Sequence, residues 1–422
     1  MNQCHCFFGN PRIEGLKNFY EIVRSIFSVV ASGRLIKTCK ILSIKGVIVV
    51  SDDSPSAWSP EMVEKGGYPH FMLKEIHEQP KALRNALSLE SDVCQRAARI
   101  LDDSEQVYIT AAGTSNHAGL AGRYMFTRLS AIRSQNIISS EFPELTGDLL
   151  DENCVVLAIS QSGETADTIN AVRHAKGQGA KVVSITNVRG STISKLSDFT
   201  VYTYAGPEYG LAATKTFLVQ VACLALLSLE LALMRGTLST GEVEELRAEL
   251  MRSPRIVDET IKRQESVVRD IAYRYADKPS FLFLGRGIST ATAMEGALKL
   301  KETAYVHAEA YPAGESRHGP IAIIEPGFPV IFIAPPDENY EKLVGNVREI
   351  KAYRAEIISV VQEGDREVRK LSDSSIAIPE TCPVFTPITY VIPLQLFAYF
   401  VAFRRGYNPD KPRYLVKAVT EP

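Results

Sequence analysis

Two hydrophobic patterns alternate along most of the chain. Short, unbroken apolar runs are followed by longer stretches in which apolar positions recur every three or four residues. The first pattern belongs to strands buried on both faces, the second to amphipathic helices. Val107-Tyr108-Ile109-Thr110-Ala111 runs into a turn, Ala112-Gly113-Thr114-Ser115, and a helical pattern follows to about Leu129. Ile137-Ile138 gives a short second strand with a loop at Ser139–Phe142. Val155–Ile159 gives a third, Lys181–Thr186 a fourth and Thr200–Thr203 a fifth. Strands alternating with helices at this spacing predict an α/β fold, a parallel sheet flanked by helices in three layers.

The second half repeats the plan. Phe281-Leu282-Phe283-Leu284-Gly285-Arg286-Gly287 corresponds to the first strand and its glycine turn, Val330–Ala334 to the third strand, and Glu356–Val360 to the fourth. The tetrapeptide Lys-Leu-Ser-Asp occurs at 195–198 and again at 370–373, about 82 and about 85 residues after the respective glycine turns. The same order at near-equal spacing predicts two copies of one unit, joined by the charged helical stretch from about Gly241 to Asp277. Before the first copy, Phe71, Met72, Ile76, Ala82, Leu83, Ala86 and Leu87 keep helical spacing. Further upstream, Phe19–Ile36 reads as a helix, Lys45–Asp52 as an apolar β-type run, and Asp53–Pro60 as a loop holding the only tryptophan, Trp58.

The two copies differ at one place. After the third strand the first copy has Ser160-Gln161-Ser162-Gly163-Glu164-Thr165, then a helix from Ala166. The second copy has Pro335-Pro336-Asp337. A strand end meeting a helix start is where an open α/β sheet holds ligands, and free N–H groups there attract anions. The loop's hydroxyls and amide add side-chain donors. It has no Lys or Arg, so it is not a nucleotide-triphosphate loop and suits a small phosphomonoester. An ordinary cap and turn would use the same residue types.

Composition narrows the classes. The chain has 422 residues, 45% hydrophobic and 23% charged, with a net charge of -2. That length allows two or three domains with real cores, and the charge balance argues against a nucleic-acid partner. The seven scattered cysteines point to a reducing, cytoplasmic setting. The Cys4-His5-Cys6 cluster lacks a second pair at zinc spacing, so no metal is expected. Phe217–Met234 is the most apolar segment, but Gln220 and Glu230 interrupt it and it is short for a bilayer span. It reads as a core or interface helix, with no membrane partner.

Acid–base chemistry concentrates in the second copy. Lys299 and Glu302 share a helix face; a surface ion pair is the plain alternative. Downstream, Gly314-Glu315-Ser316-Arg317-His318-Gly319 carries a histidine between glycines. Lys417 lies in an apolar tail, and burial is one way to make an amine nucleophilic. A phosphate loop, a carboxylate, a histidine and two lysines are what proton transfer between adjacent carbons of a sugar phosphate needs.

These stretches resemble a known family. Ser160–Thr168 resembles the phosphate loop of sugar-isomerase (SIS) domains. Glu295-Gly296-Ala297-Leu298-Lys299-Leu300-Lys301-Glu302, His307–Tyr311, His318-Gly319-Pro320, the tail ending Lys417-Ala418-Val419-Thr420-Glu421, and the lead-in Lys65–Pro80 are similar to the isomerase part of the glutamine–fructose-6-phosphate aminotransferase (glucosamine-6-phosphate synthase) family. The match runs from about residue 46 to the end. It implies two tandem SIS domains, at 94–233 and 269–412, after a segment 1–67 and before a tail 413–422. It also implies a cytoplasmic homodimer, without cofactor or metal, making glucosamine 6-phosphate from fructose 6-phosphate and ammonia.

By position, the resemblance gives phosphate binding to Ser160, Gln161, Ser162 and Thr165, with Thr114 and Ser115 lining the same pocket. It gives the imine lysine to Lys417, the C1–C2 base to Glu302 with Lys299 assisting, ring opening to His318 of the neighbouring subunit, and sugar contacts to Glu208 and Leu211. Ala213 stands where the family usually has Ser, and Tyr414, Val416 and Ala418 make the tail bulkier or different. The segment before residue 46 is too short for a glutaminase domain, and neither Cys4 nor Cys6 is a terminal nucleophile. This predicts a chain that takes ammonia from solution or from a separate glutaminase, with Gly46–Trp58 a remnant of such a domain. The alternatives are a fructose-6-phosphate/glucose-6-phosphate isomerase, an amino-sugar-phosphate deglycase, or a sugar-phosphate sensing module.

Overall fold

The computed structural model describes residues 64–415 except residue 90, together with Lys417 and two short strands, β1 (Lys40–Ile44) and β2 (Val47–Ser51). These two strands pair antiparallel, Lys40 opposite Ser51 and Ile44 opposite Val47. The apolar run at 45–52 thus contains a strand, and its partner β1 was not expected. The Phe19–Ile36 helix, the Trp58 loop and the Cys4-His5-Cys6 cluster lie outside the described residues.

From Lys65 onward the chain forms one compact unit with two parallel sheets. The first holds β3 (Gln106–Ala111), β4 (Ser134–Ile138), β5 (Cys154–Ser160), β6 (Lys181–Thr186) and β7 (Phe199–Tyr202), in the order β4-β3-β5-β6-β7. The second holds β8 (Ser280–Gly285), β9 (His307–Pro312), β10 (Pro329–Ala334), β11 (Glu356–Gln362) and β12 (Ser374–Ile378), in the order β9-β8-β10-β11-β12. The orders are identical, so the repeat read from sequence is a repeat of topology. In each sheet the chain first steps outward and then returns to the other side of its first strand. The crevice between β3 and β5, or between β8 and β10, is therefore the switch point where α/β sheets bind ligands.

Strand β9 carries no unbroken apolar run and β12 only the short Ile376-Ala377-Ile378, which is why the pattern missed them. Edge strand β9, His307-Ala308-Glu309-Ala310-Tyr311-Pro312, is buried fully at one position only. An edge strand packs one face and leaves polar residues on the other.

The helices used below are α1 (Phe71–Leu87), α2 (Ser91–Asp102), α3 (Gly113–Met125), α4 (Ala166–Gly177), α5 (Lys215–Arg235), α6 (Thr240–Tyr275), α7 (Ser289–Ala304), α8 (Tyr340–Ala352) and α9 (Ile392–Arg404). The charged joint is α6, whose start is fixed by a reciprocal cap between Ser239 and Glu242. Helices α5 and α9 are apolar all round. Two helical spans, Lys215–Arg235 and Pro383–Arg404, are long and apolar enough to cross a membrane, yet they are 89% and 94% buried inside the fold. They are core helices: residues such as Leu224 and Leu396 are fully buried in a cluster that also takes in Ile109 and Leu157 of the first sheet and Phe281 and Ile331 of the second. The outer face of each sheet has its own smaller cluster, around Val156 and Ile169 in one case and Phe332 and Val347 in the other.

Candidate active site

Strand β5 is buried at every position and ends at Ser160. Beyond it the chain must turn into α4, and its polar side chains hold the turn. Ser160 Oγ accepts the Gly163 N–H at 3.0 Å and lies 3.2 Å from Thr165 Oγ1; Ser162 Oγ accepts the Glu164 N–H at 3.1 Å. The Glu164 carboxylate takes the N–H and hydroxyl of Thr192 at 2.8 and 2.7 Å, anchoring the loop to the segment after β6. Gly163 has φ +67, and a Cβ there would lie 2.1 Å from Ser191 Oγ, so only glycine fits. The N-cap Thr165 makes no side-chain cap bond. The first-turn amides of α4 are thus left for an anion.

Ala111 pairs in register with Ile159, so the turns after β3 and β5 emerge side by side. The β3 turn brings Thr114 and Ser115 to the same edge. Ser115 Oγ accepts from Gln220 Nε2 of α5 at 3.0 Å. Thr114 faces the second domain: its hydroxyl donates to Glu295 Oε1 at 3.0 Å and accepts from Lys299 Nζ at 2.9 Å, both on α7.

Lys299 is not a surface residue. Its side chain is fully buried, 2.6 Å from Glu302 Oε2 and 3.3 Å from Glu295 Oε1. The surface ion-pair alternative is therefore corrected. Burial alone would lower the Lys299 pKa, but the two flanking carboxylates reverse this and hold it above the ordinary lysine value, so it is an ammonium. Glu295, also fully buried, accepts a further hydrogen bond from His117 Nδ1 of α3 at 2.8 Å. The chain of contacts His117–Glu295–Lys299–Glu302 runs from α3 into α7 and ties the two domains together. At its end Glu302 is 20% exposed, and among the described residues its Oε1 has no hydrogen-bond partner. A carboxylate steered by a buried ammonium, with one oxygen open, is the geometry of a general base.

The loop after β7 carries Glu208, buried and facing inward. Its carboxylate accepts the Thr214 N–H at 2.9 Å, the Thr216 hydroxyl at 2.7 Å and the Lys417 ammonium at 3.1 Å. Burial would push this carboxyl up; the Lys417 charge, the Thr216 hydroxyl and the Thr214 N–H outweigh it and hold it down to about 2. Lys417 also donates to the Gly210 carbonyl at 2.5 Å. Its neighbourhood is thus ionic, which corrects the idea that apolar burial prepares this amine. Leu211 and Ala213 are half-buried in the same loop. His318 stands apart: it is exposed on the short turn Glu315–His318, and among the described residues it makes no hydrogen bond.

Glu295, His117 and Gln220 were missed from sequence. Glu295 could have been found, because it lies four residues before Lys299 and seven before Glu302, on one helical face. Nothing local marked His117, and Gln220 stood out only as a polar break in the apolar run Phe217–Met234. Among the described residues no group of three or more His, Cys, Asp or Glu side chains could hold a metal ion.

Comparison with known proteins agrees with this architecture. The family described as "SIS domain" matches at residues 100–229 and 274–405. The glutamine–fructose-6-phosphate aminotransferase [isomerizing] of Thermococcus kodakarensis is 45% identical over 89% of this chain and 62% of its own length. That of Pyrobaculum aerophilum is 49% identical over 86% of this chain and 59% of its own. The chain thus spans about three fifths of these relatives. The C-terminal domain of glucosamine-fructose-6-phosphate aminotransferase from Francisella tularensis superposes with a TM-score of 0.77 at 34% identity, covering 82% of this chain and all of that one. With two matched copies, two sheets of one topology and a solved relative aligned over its whole length, the chain belongs to the SIS-domain family, in the group of the aminotransferase C-terminal domains.

Proposed function

We propose that this chain is a sugar-phosphate aminotransferase-isomerase that converts fructose 6-phosphate and ammonia to glucosamine 6-phosphate and water. One observation carries the reading: Lys299 Nζ bonds Thr114 Oγ1 at 2.9 Å while holding Glu302 at 2.6 Å. That contact joins the anion pocket of one domain to the acid–base pair of the other. The phosphate sits on Ser160, Gln161, Ser162 and Thr165 at the start of α4, with Thr114 and Ser115 beside it. Lys417, released from Glu208 as a neutral amine, condenses with the C2 carbonyl of the open ketose. Ammonia displaces it, leaving the imine nitrogen on C2. Glu302 then carries a proton from C1 to C2, and the buried Lys299 charge steadies the anionic intermediate. Glu208 and Leu211 border the sugar hydroxyls.

The exposed position of His318 supports its acting in the site of a second copy, hence a homodimer. These residues take ammonia from solution or from a glutaminase domain outside them. Free thiols at Cys94, Cys154, Cys223 and Cys382 support a reducing, cytoplasmic location.

The test is an end-point assay of the purified chain with fructose 6-phosphate alone, with ammonium, and with glutamine. The expected product is glucosamine 6-phosphate from ammonium and none from glutamine. Glucose 6-phosphate alone would replace the proposal with a plain isomerase. Binding without turnover would replace it with a sensing module.

A further inference from the structure

Helix α1 buries polar residues that its own fold does not need. Lys74, Glu75 and Gln79 are 6%, 1% and 0% exposed. Of these, Glu75 meets the loop 208–216. Glu75 Oε1 accepts the N–H groups of Tyr209 and Gly210, and Oε2 lies 3.1 Å from the same Gly210 nitrogen. The carbonyl of Gly210 in turn accepts Lys417, and Glu208, two residues earlier, takes the same ammonium. Gly210 is therefore gripped from both sides, by α1 through its N–H and by Lys417 through its carbonyl. A Cβ at Gly210 would lie 2.6 Å from Glu75 Oε2 and 3.3 Å from the Met72 backbone, so only glycine allows this approach.

We propose that Glu75 is the positioning residue of the Lys417 site. Its carboxyl fixes the Tyr209–Gly210 backbone, so that the Gly210 carbonyl and the Glu208 carboxylate present the amine to the substrate. This rests on the reading of Lys417 as the imine-forming residue. The charged groups facing Glu75 are Glu208, Lys215 and Lys417 from the loop, from α5 and from the tail. On its own helix, Lys74 and Glu78 pair with each other at 3.5 Å, and Glu78 also binds Lys215. Burial, aided by the Glu208 charge, pushes Glu75 up to about 8 against the pull of Lys215, Lys417 and the Tyr209 N–H. Oε1 alone reaches both N–H groups, while Oε2 shares only that of Gly210. A glutamine carbonyl can do the same.

The test uses the full chain and borohydride reduction with fructose 6-phosphate, reading the adduct on the Lys417 peptide by mass spectrometry. Amide exchange of residues 208–211 and affinity for a hexitol 6-phosphate, which has no carbonyl, are measured beside it. Glu75→Leu is expected to slow adduct formation and to speed exchange at Tyr209 and Gly210, each about tenfold, the scale of losing one good acceptor. Hexitol phosphate affinity should stay within about threefold, because the phosphate loop is untouched. Glu75→Gln should restore both losses. Gly210→Ala carries the same expectation as Glu75→Leu with α1 intact, so a leucine variant that does not fold still leaves a deciding result. Wild-type adduct and exchange rates in Gly210→Ala or Glu75→Leu would overturn the proposal, as would a glutamine variant as impaired as the leucine one. Turnover by the wild type without any adduct on Lys417 would instead overturn the reading of Lys417, and the proposal with it.

Discussion

The two sheets have one topology and different edges. In both copies the aspartate of Lys-Leu-Ser-Asp performs the same task. Asp198 Oδ2 accepts the Val182 N–H at 2.7 Å and Asp373 Oδ2 the Ile357 N–H at 2.7 Å, at the starts of β6 and β11. Lys176 and Lys351 close the two arrangements at 2.7 and 2.6 Å. At the switch points the copies part. The first keeps an open hydroxyl loop. The second follows β10 with two prolines, and the turn after β8 carries an arginine held across it: Arg286 Nε donates to Asn346 Oδ1 at 3.0 Å, and a Cβ on Gly314 would lie 2.7 Å from the Arg286 guanidinium. Repeated residues hold the fold, and the copies differ at the ends of their third strands. The second copy supplies α7, whose Lys299 bonds Thr114 of the first at 2.9 Å and Glu302 at 2.6 Å.

The sharpest way to break this contrast is to remove the reach of the second copy. Glu302→Gln should cut turnover by about 10²–10⁴-fold, the usual worth of a positioned acid–base group, with fructose 6-phosphate binding retained. Turnover within tenfold of wild type in a steady-state assay would place the base elsewhere. Binding stoichiometry separates the copies next. Calorimetry should find one phosphate-ester site per chain, and Gly163→Ala should weaken it by about tenfold or more, since the new methyl strains a left-handed turn. Two sites per chain would show that the second crevice is also open. The shared device should give matched effects. Asp198→Ala and Asp373→Ala should each lower stability by about 1–2 kcal/mol in urea melts, the cost of a backbone N–H losing a charged acceptor. Unequal losses would mean that the repeated tetrapeptide serves different ends.

The smallest effect is one of pH. Glu75 has an ordinary value near 4.5 and lies at about 8 in the folded chain. Between these limits the folded state holds more protons, so stability from this group is full at low pH and falls as pH rises through about 8. Glu208, lowered from 4.5 to about 2, runs the other way: its contribution is present above 4.5 and is lost as pH falls through about 2. Glu75→Gln removes the first slope and leaves the second. Its melting temperature should hold level from about pH 5 to about 8, where the wild type declines. Parallel curves for the two proteins would mean that Glu75 is not the buried acid.

Sequence alone determined the strand runs, the repeat, the hydroxyl loop and the helix face of Lys299 and Glu302, because each is a local pattern written in neighbouring residues. It also showed that the second copy lacks the loop. It did not show strand β9, whose small and polar residues alternate without an apolar run, nor β12, whose apolar run is only Ile376-Ala377-Ile378. Nor could it show that Lys299 is buried between two carboxylates, since spacing puts residues on one face without saying what covers that face. The partners that set the electrostatics come from far along the chain: Thr114 lies 185 residues from Lys299, and Glu208 lies 209 from Lys417. Whether a lysine is an exposed pair, a buried ammonium or a tethered amine depends on the local dielectric and the charges around it. Those are fixed only when α1, α3, α7 and the tail close on the edge of the first sheet.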